Sequence, residues 1–332
     1  MQWNIVNNLT SIKGAHTIKA GVDFRRTSPT YFQRPYAAEI TFNGLSGSDG
    51  SLLSGIATAA TVSSNITRVE PVLNNFSFFF QDNWKADDKT TVTYGFRWDV
   101  NPAPDVRSGS PPFALGSDGT SVTRFSPLYK TRWADIGPRF GMVHQLENAP
   151  GWEAVLRMGV GVFYYLGYGT TMSAFNGVPY SSQRNLSLTA FPLTAASIVP
   201  PALPAARPYG QLSGSDPLLM SPRSTQWNIS LEQTIAHKQT LTMSYIGTQC
   251  RNLMLTETQA AFTSDYDFLR LTTNGANSDY HAAQIQYRRR FSADLLAQVS
   301  YTYSSAIDTQ PADSSRGGFA PLLADEKGAS DF

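Results

Sequence analysis

HTIKAGVDFRR, residues 16–26, alternates almost without error. Ile18, Ala20, Val22 and Phe24 fall at every second position, and Thr17, Lys19, Gly21, Asp23 and Arg25 fill the places between. Successive side chains of a β-strand point to opposite sides, so one face is apolar and the other carries charge of both signs. Such a strand sets its apolar face either on a second protein layer or against lipid.

The bulk of the chain narrows the choice. Among its 332 residues 41% are hydrophobic and 12% aromatic, which excludes a disordered polar tail. A net charge of +1, from 26 basic and 25 acidic residues, gives no overall field for nucleic acid or an anionic surface. A single cysteine, Cys250, excludes an internal disulfide framework, and His16, His144, His237 and His281 lack metal-ligand spacing. Neither a cofactor nor a structural metal is expected. The opening MQWNIVNNLT has no basic start followed by an apolar core, so no signal peptide is expected in this chain. No apolar run reaches the roughly 18 residues of a membrane helix, but a membrane strand needs only about 9–11 and hides its apolarity at alternate positions.

The period-2 pattern recurs along the chain. Val92, Tyr94, Phe96 and Trp98 oppose Thr91, Thr93, Gly95, Arg97 and Asp99; upstream, Phe76, Phe78 and Phe80 share a face while Phe79 takes the other. Phe140, Met142 and Leu146 are followed, across ENAPGWE, by Leu156, Met158, Val160, Val162 and Tyr164. Trp227, Ile229, Leu231 and Ile235 turn through AHKQ into Leu241, Met243 and Tyr245; YHAAQIQYRRRF turns through SAD into LLAQVSYTYS. With a weaker pair from Trp3, this predicts about ten strands in five hairpins. All 20 prolines fall outside the strand cores so drawn.

Connections within hairpins are a few residues long, whereas those between hairpins span 27–71, 101–138, 166–223 and 249–279, with a further one starting at 304. Usual connections run to about 4–6 residues, so one end of the sheet is trimmed and the other overgrown with Gly-, Ser-, Pro- and Thr-rich loops. Strands of about 11 residues exceed those of soluble sheets and fit a tilted crossing. The expected fold is therefore all-β, an antiparallel up-and-down transmembrane β-barrel, which closes so that no backbone group faces lipid unpaired. Ile18, Val22, Phe24, Tyr94, Phe96, Trp98, Met158, Val160, Val162, Trp227, Ile229, Leu231, Val299 and Tyr301 are expected to face lipid. Lys19, Asp23, Arg25, Arg97, Asp99, Arg139, Arg157, Glu232, Gln284, Gln286 and Arg288 are expected to face a wet lumen. An Arg or Lys at the bilayer midplane would cost roughly 2–4 kcal/mol, which this placement avoids. A soluble antiparallel sandwich or propeller with a carbohydrate-binding role shares the alternation and stays open as an alternative.

Several strings, in order, resemble the barrel of TonB-dependent outer-membrane receptors of the Oar-like group: FFFQDNWKADDKTTVTYGFRWD (78–99), GPRFGMVHQL (137–146), VLRMGVGVFYY (155–165), TQWNISLEQTIAHKQTLTMSYIGTQCRNL (225–253) and SDYHAAQIQYRRRFSADLLAQVSYTYSSAIDT (278–309). The resemblance spans about Gly14 to Asp308 and implies a barrel of about 22 strands in the outer membrane of a Gram-negative bacterium, with lipid, a transported substrate and the TonB system as partners. Such receptors carry a plug, commonly with an N-terminal sandwich domain. Neither has a counterpart here, so residues 1–332 are expected to be a partial barrel. A passive porin or structural outer-membrane protein would show the same pattern.

No catalytic constellation emerges: there is no G-x-S-x-G elbow and no phosphate-binding loop. YRRRF (287–291) has arginines flanked by aromatics, yet its place beside a turn makes it a strand end rather than a nucleic-acid patch. The protein is expected to bind and pass a substrate, not to transform one.

Overall fold

The computed structural model describes residues 1–30, 36–47, 50–65, 67–116, 118, 121–123, 127–204, 206–260, 263–292, 295–309 and 328–329. A first hairpin, β1 (Gln2–Lys13) and β2 (His16–Thr27), leads through β3 (Ala37–Thr41) and β4 (Ile56–Asn65) to the pair β5 (Glu70–Lys85) and β6 (Thr90–Val100). Short pieces β7 (Asp105–Ser108), β8 (Ala114–Leu115) and β9 (Val122–Thr123) precede the hairpin β10 (Asp135–Glu147) and β11 (Ala154–Tyr164). A helical turn α1 (Tyr168–Thr171), β12 (Ser181–Ala190) and β13 (Gln211–Ser215) then lead to β14 (Arg223–Ile235) and β15 (Gln239–Ala260). The chain ends in β16 (Phe268–Arg290), β17 (Leu296–Asp308) and the short β18 (Gly328–Ala329).

Ten long strands form one wall in the order β1-β2-β5-β6-β10-β11-β14-β15-β16-β17, each antiparallel to its neighbours. These are the ten strands and five short turns that the alternation predicts. β1 pairs on one side only, so the wall is open there among the described residues.

Register locks the alternation of each strand to that of the next. Val22 lies opposite Phe78, Phe78 opposite Trp98, Phe96 opposite Pro138, Phe140 opposite Val160 and Val160 opposite Trp227. Ile229 then faces Tyr245, Tyr245 faces Ala283, and Ile285 faces Tyr301. A single-residue slip of any strand would send that strand's whole apolar set to the wrong side. Among the described residues no layer covers this face: Val22 is 38% exposed, Phe96 37%, Val160 46% and Val299 68%. A soluble sandwich would have buried them, at roughly 25 cal/mol per Å² of apolar surface removed from water.

The core sits elsewhere. Tyr266, Phe175, Leu128, Leu212, Leu269, Val62 and Val69 are fully buried, and all belong to the long connections or to the extension of β15 and β16. Phe113, Leu115, Val178, Leu212, Tyr266 and Leu269 form one cluster; Val69, Phe175 and Tyr180 form another. β12 pairs with β4 across more than a hundred residues of sequence, joining two connections into one lobe.

Three expectations need correction. Residues 249–279 are not a loop: β15 runs to Ala260 and β16 starts at Phe268, so Cys250 lies inside a strand. The ladder breaks between Cys250 and Leu255, with Asn252 at φ 58°, and beyond it residues of both parities are buried, Leu255 and Leu269 on one face and Thr272 on the other; a sequence pattern that marks two solvents fades there. The other long connections also hold strands, and β17 continues to Asp308 rather than ending at 304. Finally, Pro71 and Pro138 lie within β5 and β10. Pro138 pairs with Phe96, but the ladder to β11 starts only at Arg139, so on that side its missing N–H leaves no bond unmade.

Candidate functional site

The polar face carries one dense cluster, at the end of the wall that meets the lobe. β2, β5, β6 and β10 contribute residues at the same height because Asp23 lies opposite Ser77 and Ser77 opposite Asp99. Arg97 Nε donates to Asp99 Oδ1 at 3.0 Å, and its Nη2 donates to Ser77 Oγ at 2.7 Å. Ser77 Oγ in turn donates to Asp99 Oδ1 at 2.7 Å. Asp23 stands 3.9 Å from Arg97 and 3.8 Å from Arg25, and Asn75 Nδ2 donates to Asn101 Oδ1 at 2.6 Å. Ser77, Asn75, Asp99 and Asn101 are buried, where charge-assisted hydrogen bonds weigh more than they would in water.

The cluster borders a cavity of about 240 Å³ between Arg25, Arg97, Arg139 and Tyr164. Arg139 lies 4.6 Å over the Phe163 ring, a cation–π contact that orients its guanidinium without neutralising it. Arg25 Nε is shielded from solvent and has no acceptor among the described residues. With three guanidinium groups against the paired acids Asp23 and Asp99, the cavity suits an anionic or multiply accepting group.

Five of the expected lumen residues, Asp23, Arg25, Arg97, Asp99 and Arg139, are thus brought together. Arg157 and Glu232 pair separately at 3.2 Å on β11 and β14, both well exposed. Lys19, Gln284, Gln286 and Arg288 share the face but not the cluster; Gln286 donates to Ser300 Oγ at 3.3 Å. Asn75, Ser77 and Asn101 join the cluster beyond the expected residues, and Tyr164, which the alternation sets in the apolar row, lines the cavity. The first three have the parity of Phe79 and Arg97, and that is the signal that could have found them.

Asp82 is a surprise on the apolar side, at the parity of Phe76, Phe78 and Phe80. Its Oδ2 meets His16 Nδ1 at 2.6 Å and accepts from Tyr94 O–H at 3.0 Å, while the His16 ring stacks on Trp84. Two ring side chains, His16 and Tyr94, hold the carboxylate and Trp84 backs the imidazole, and only cross-strand register could reveal that. Among the described residues no group of three or more His, Cys, Asp or Glu side chains is placed to hold a metal ion.

An exposed apolar belt, a charged opposite face and long connections gathered at one end define a membrane-spanning β-barrel wall. The family model for the outer membrane beta barrel domain matches residues 1–332, and the chain belongs to that family. Among solved structures it is similar to the copper transporter OprC, at 13% identity and TM-score 0.49, over 92% of this chain and 37% of that one. It is also similar to the ferric enterobactin receptor PfeA of Pseudomonas aeruginosa (9%, TM-score 0.34, 92% and 54%) and to the FrpB iron transporter of Neisseria meningitidis (12%, TM-score 0.31, 92% and 53%). At such identities the likeness concerns the fold alone, and the chain spans between 37% and 54% of these three proteins. No protein of curated function matches it.

Proposed function

We propose that this chain is part of the barrel wall of a TonB-dependent receptor of the Oar-like group, in the outer membrane of a Gram-negative bacterium. The lobe of long connections captures a substrate outside the cell. Passage then follows the polar face, once energy delivered through TonB displaces a plug carried by the rest of the protein. In this arrangement Ile18, Val22, Phe96, Val160, Ile229 and Val299 touch lipid, and the short turns lie on the periplasmic side. The observation that carries the reading is the displaced core: apolar side chains are buried in the lobe and left bare on the wall. Binding and gating need no covalent step.

Reconstitution of the complete gene product in planar bilayers tests the proposal. A receptor closed by a plug gives no steady conductance until a denaturant loosens that plug. A pore that conducts at once and without energy input would replace this reading with that of a passive porin.

A further inference from the structure

We propose a second binding site, at the mouth of the wall, for a molecule that joins an apolar body to one protonated amine. Cys250 lies opposite Ser278, and Ser278 opposite Asp308, so these three side chains form one row across β15, β16 and β17 on the polar face. The row floors a cavity of about 540 Å³, large enough for a drug-sized ligand. Its other walls are mainly apolar. The broken ladder after Cys250 places Leu253 and Met254 at its edge, and Tyr165 and Pro222 close it from the connection between β11 and β14. Asn274 holds that connection in place: its Nδ2 donates to the carbonyl oxygens of Asn252 at 2.7 Å and Met220 at 2.9 Å, and its Oδ1 accepts from Met220 N–H at 2.6 Å.

Charge supplies the selectivity. Asp308 is the carboxylate of this cavity, and its Oδ1 is shielded from solvent without a donor among the described residues. The arginine nearest in register, Arg251, has the opposite parity and is held by Asp279 at 2.9 and 3.1 Å. The neighbouring Asn277 backbone is taken by Thr309, its N–H by the hydroxyl at 2.8 Å and its carbonyl by the amide at 3.0 Å. An acid with no cationic partner among the described residues, set in an apolar pocket, is best matched by a cation with an apolar flank. This site names a substrate class for the receptor reading and rests on it only in treating the ligand as cargo; the binding is independent of TonB.

Cys250 is itself the reporter. In outer-membrane fragments, its alkylation by iodoacetamide is followed by peptide mass spectrometry in the presence of 4-phenylbutylamine or its N-acetyl derivative. The amine is expected to protect at about tenfold lower concentration, the weight of one charge-assisted hydrogen bond. Asp308→Asn should abolish the difference, and Leu253→Trp, which fills the cavity, should abolish protection by either compound. Equal potency of the two compounds, or no protection by the amine, overturns the site. Should Asp308→Asn fail to fold, the wild-type comparison and Leu253→Trp still decide. An open pore in bilayers together with selective protection would remove the receptor reading and keep the site; a closed, gated pore without protection would do the reverse.

Discussion

Arg97 holds three partners at once, Asp99, Ser77 and Asp23, and two of the three are buried. Removing Asp99 would leave a guanidinium in a partly dry site without its strongest acceptor. Asp99→Ala is therefore expected to cost about 2–3 kcal/mol, read from the urea midpoint of the protein in detergent by tryptophan fluorescence. The double change Arg97→Met with Asp99→Leu should cost less than Asp99→Ala alone, because the guanidinium leaves together with its strongest acceptor while Asp23 keeps Arg25. A larger loss in the double variant would show that these residues pack rather than pair. Asp82 follows the same logic on the apolar side, where His16 and Tyr94 take the place of water.

Strands and turns obey their own constraints. On β15, Gly247 lies opposite Trp227 of β14, and the indole rests on the space a Cβ would occupy. Gly247→Val would push the ring off the wall, at about 1–3 kcal/mol, with a red shift of Trp227 emission as its signature. The short turns depend on carboxylates. The Lys89 N–H holds the Asp87 carboxyl below its usual range, aided by the Thr90 hydroxyl. Asn148 and Ala149 N–H groups do the same for Glu147, and Glu153 is lowered by its own N–H and that of Gly151. Because each folded pKa lies below its unfolded value, the support is complete above the ordinary carboxylate range. It is lost as pH falls through the folded value. Hydrogen-exchange protection at Lys89, Asn148 and Gly151 should fall in acid while mid-strand amides hold; a uniform response would refute the turn-specific account.

For the whole molecule the decisive question is which solvent each face meets. Spin labels introduced by Val160→Cys, Ile229→Cys and Val299→Cys in a Cys250→Ser background should collide with oxygen dissolved in lipid. Labels from Arg157→Cys and Gln284→Cys should collide instead with a water-soluble nickel chelate. Similar accessibility of the two sets to the chelate would contradict a membrane wall. The lobe adds a second whole-molecule feature, since β12 and β4 join connections that lie far apart in sequence. The lobe is shaped by that pairing rather than by either connection alone.

Alternation by itself determined the ten wall strands, their short turns and the sorting of apolar from charged faces. Each of these follows from one local rule, that neighbouring side chains point to opposite solvents. Ile18, Val22, Asp23 and Arg97 could be placed on their faces before any neighbour was known. Tertiary structure alone decided that Asp23, Ser77, Arg97, Asp99 and Arg139 meet, that Asp82 finds His16 and Tyr94, and that 249–260 and 268–279 are strand. Those outcomes depend on register between strands and on packing against the lobe. There buried residues occur at both parities, Leu255 and Leu269 on one face and Thr272 on the other, so the contrast of solvents that makes a strand legible fades.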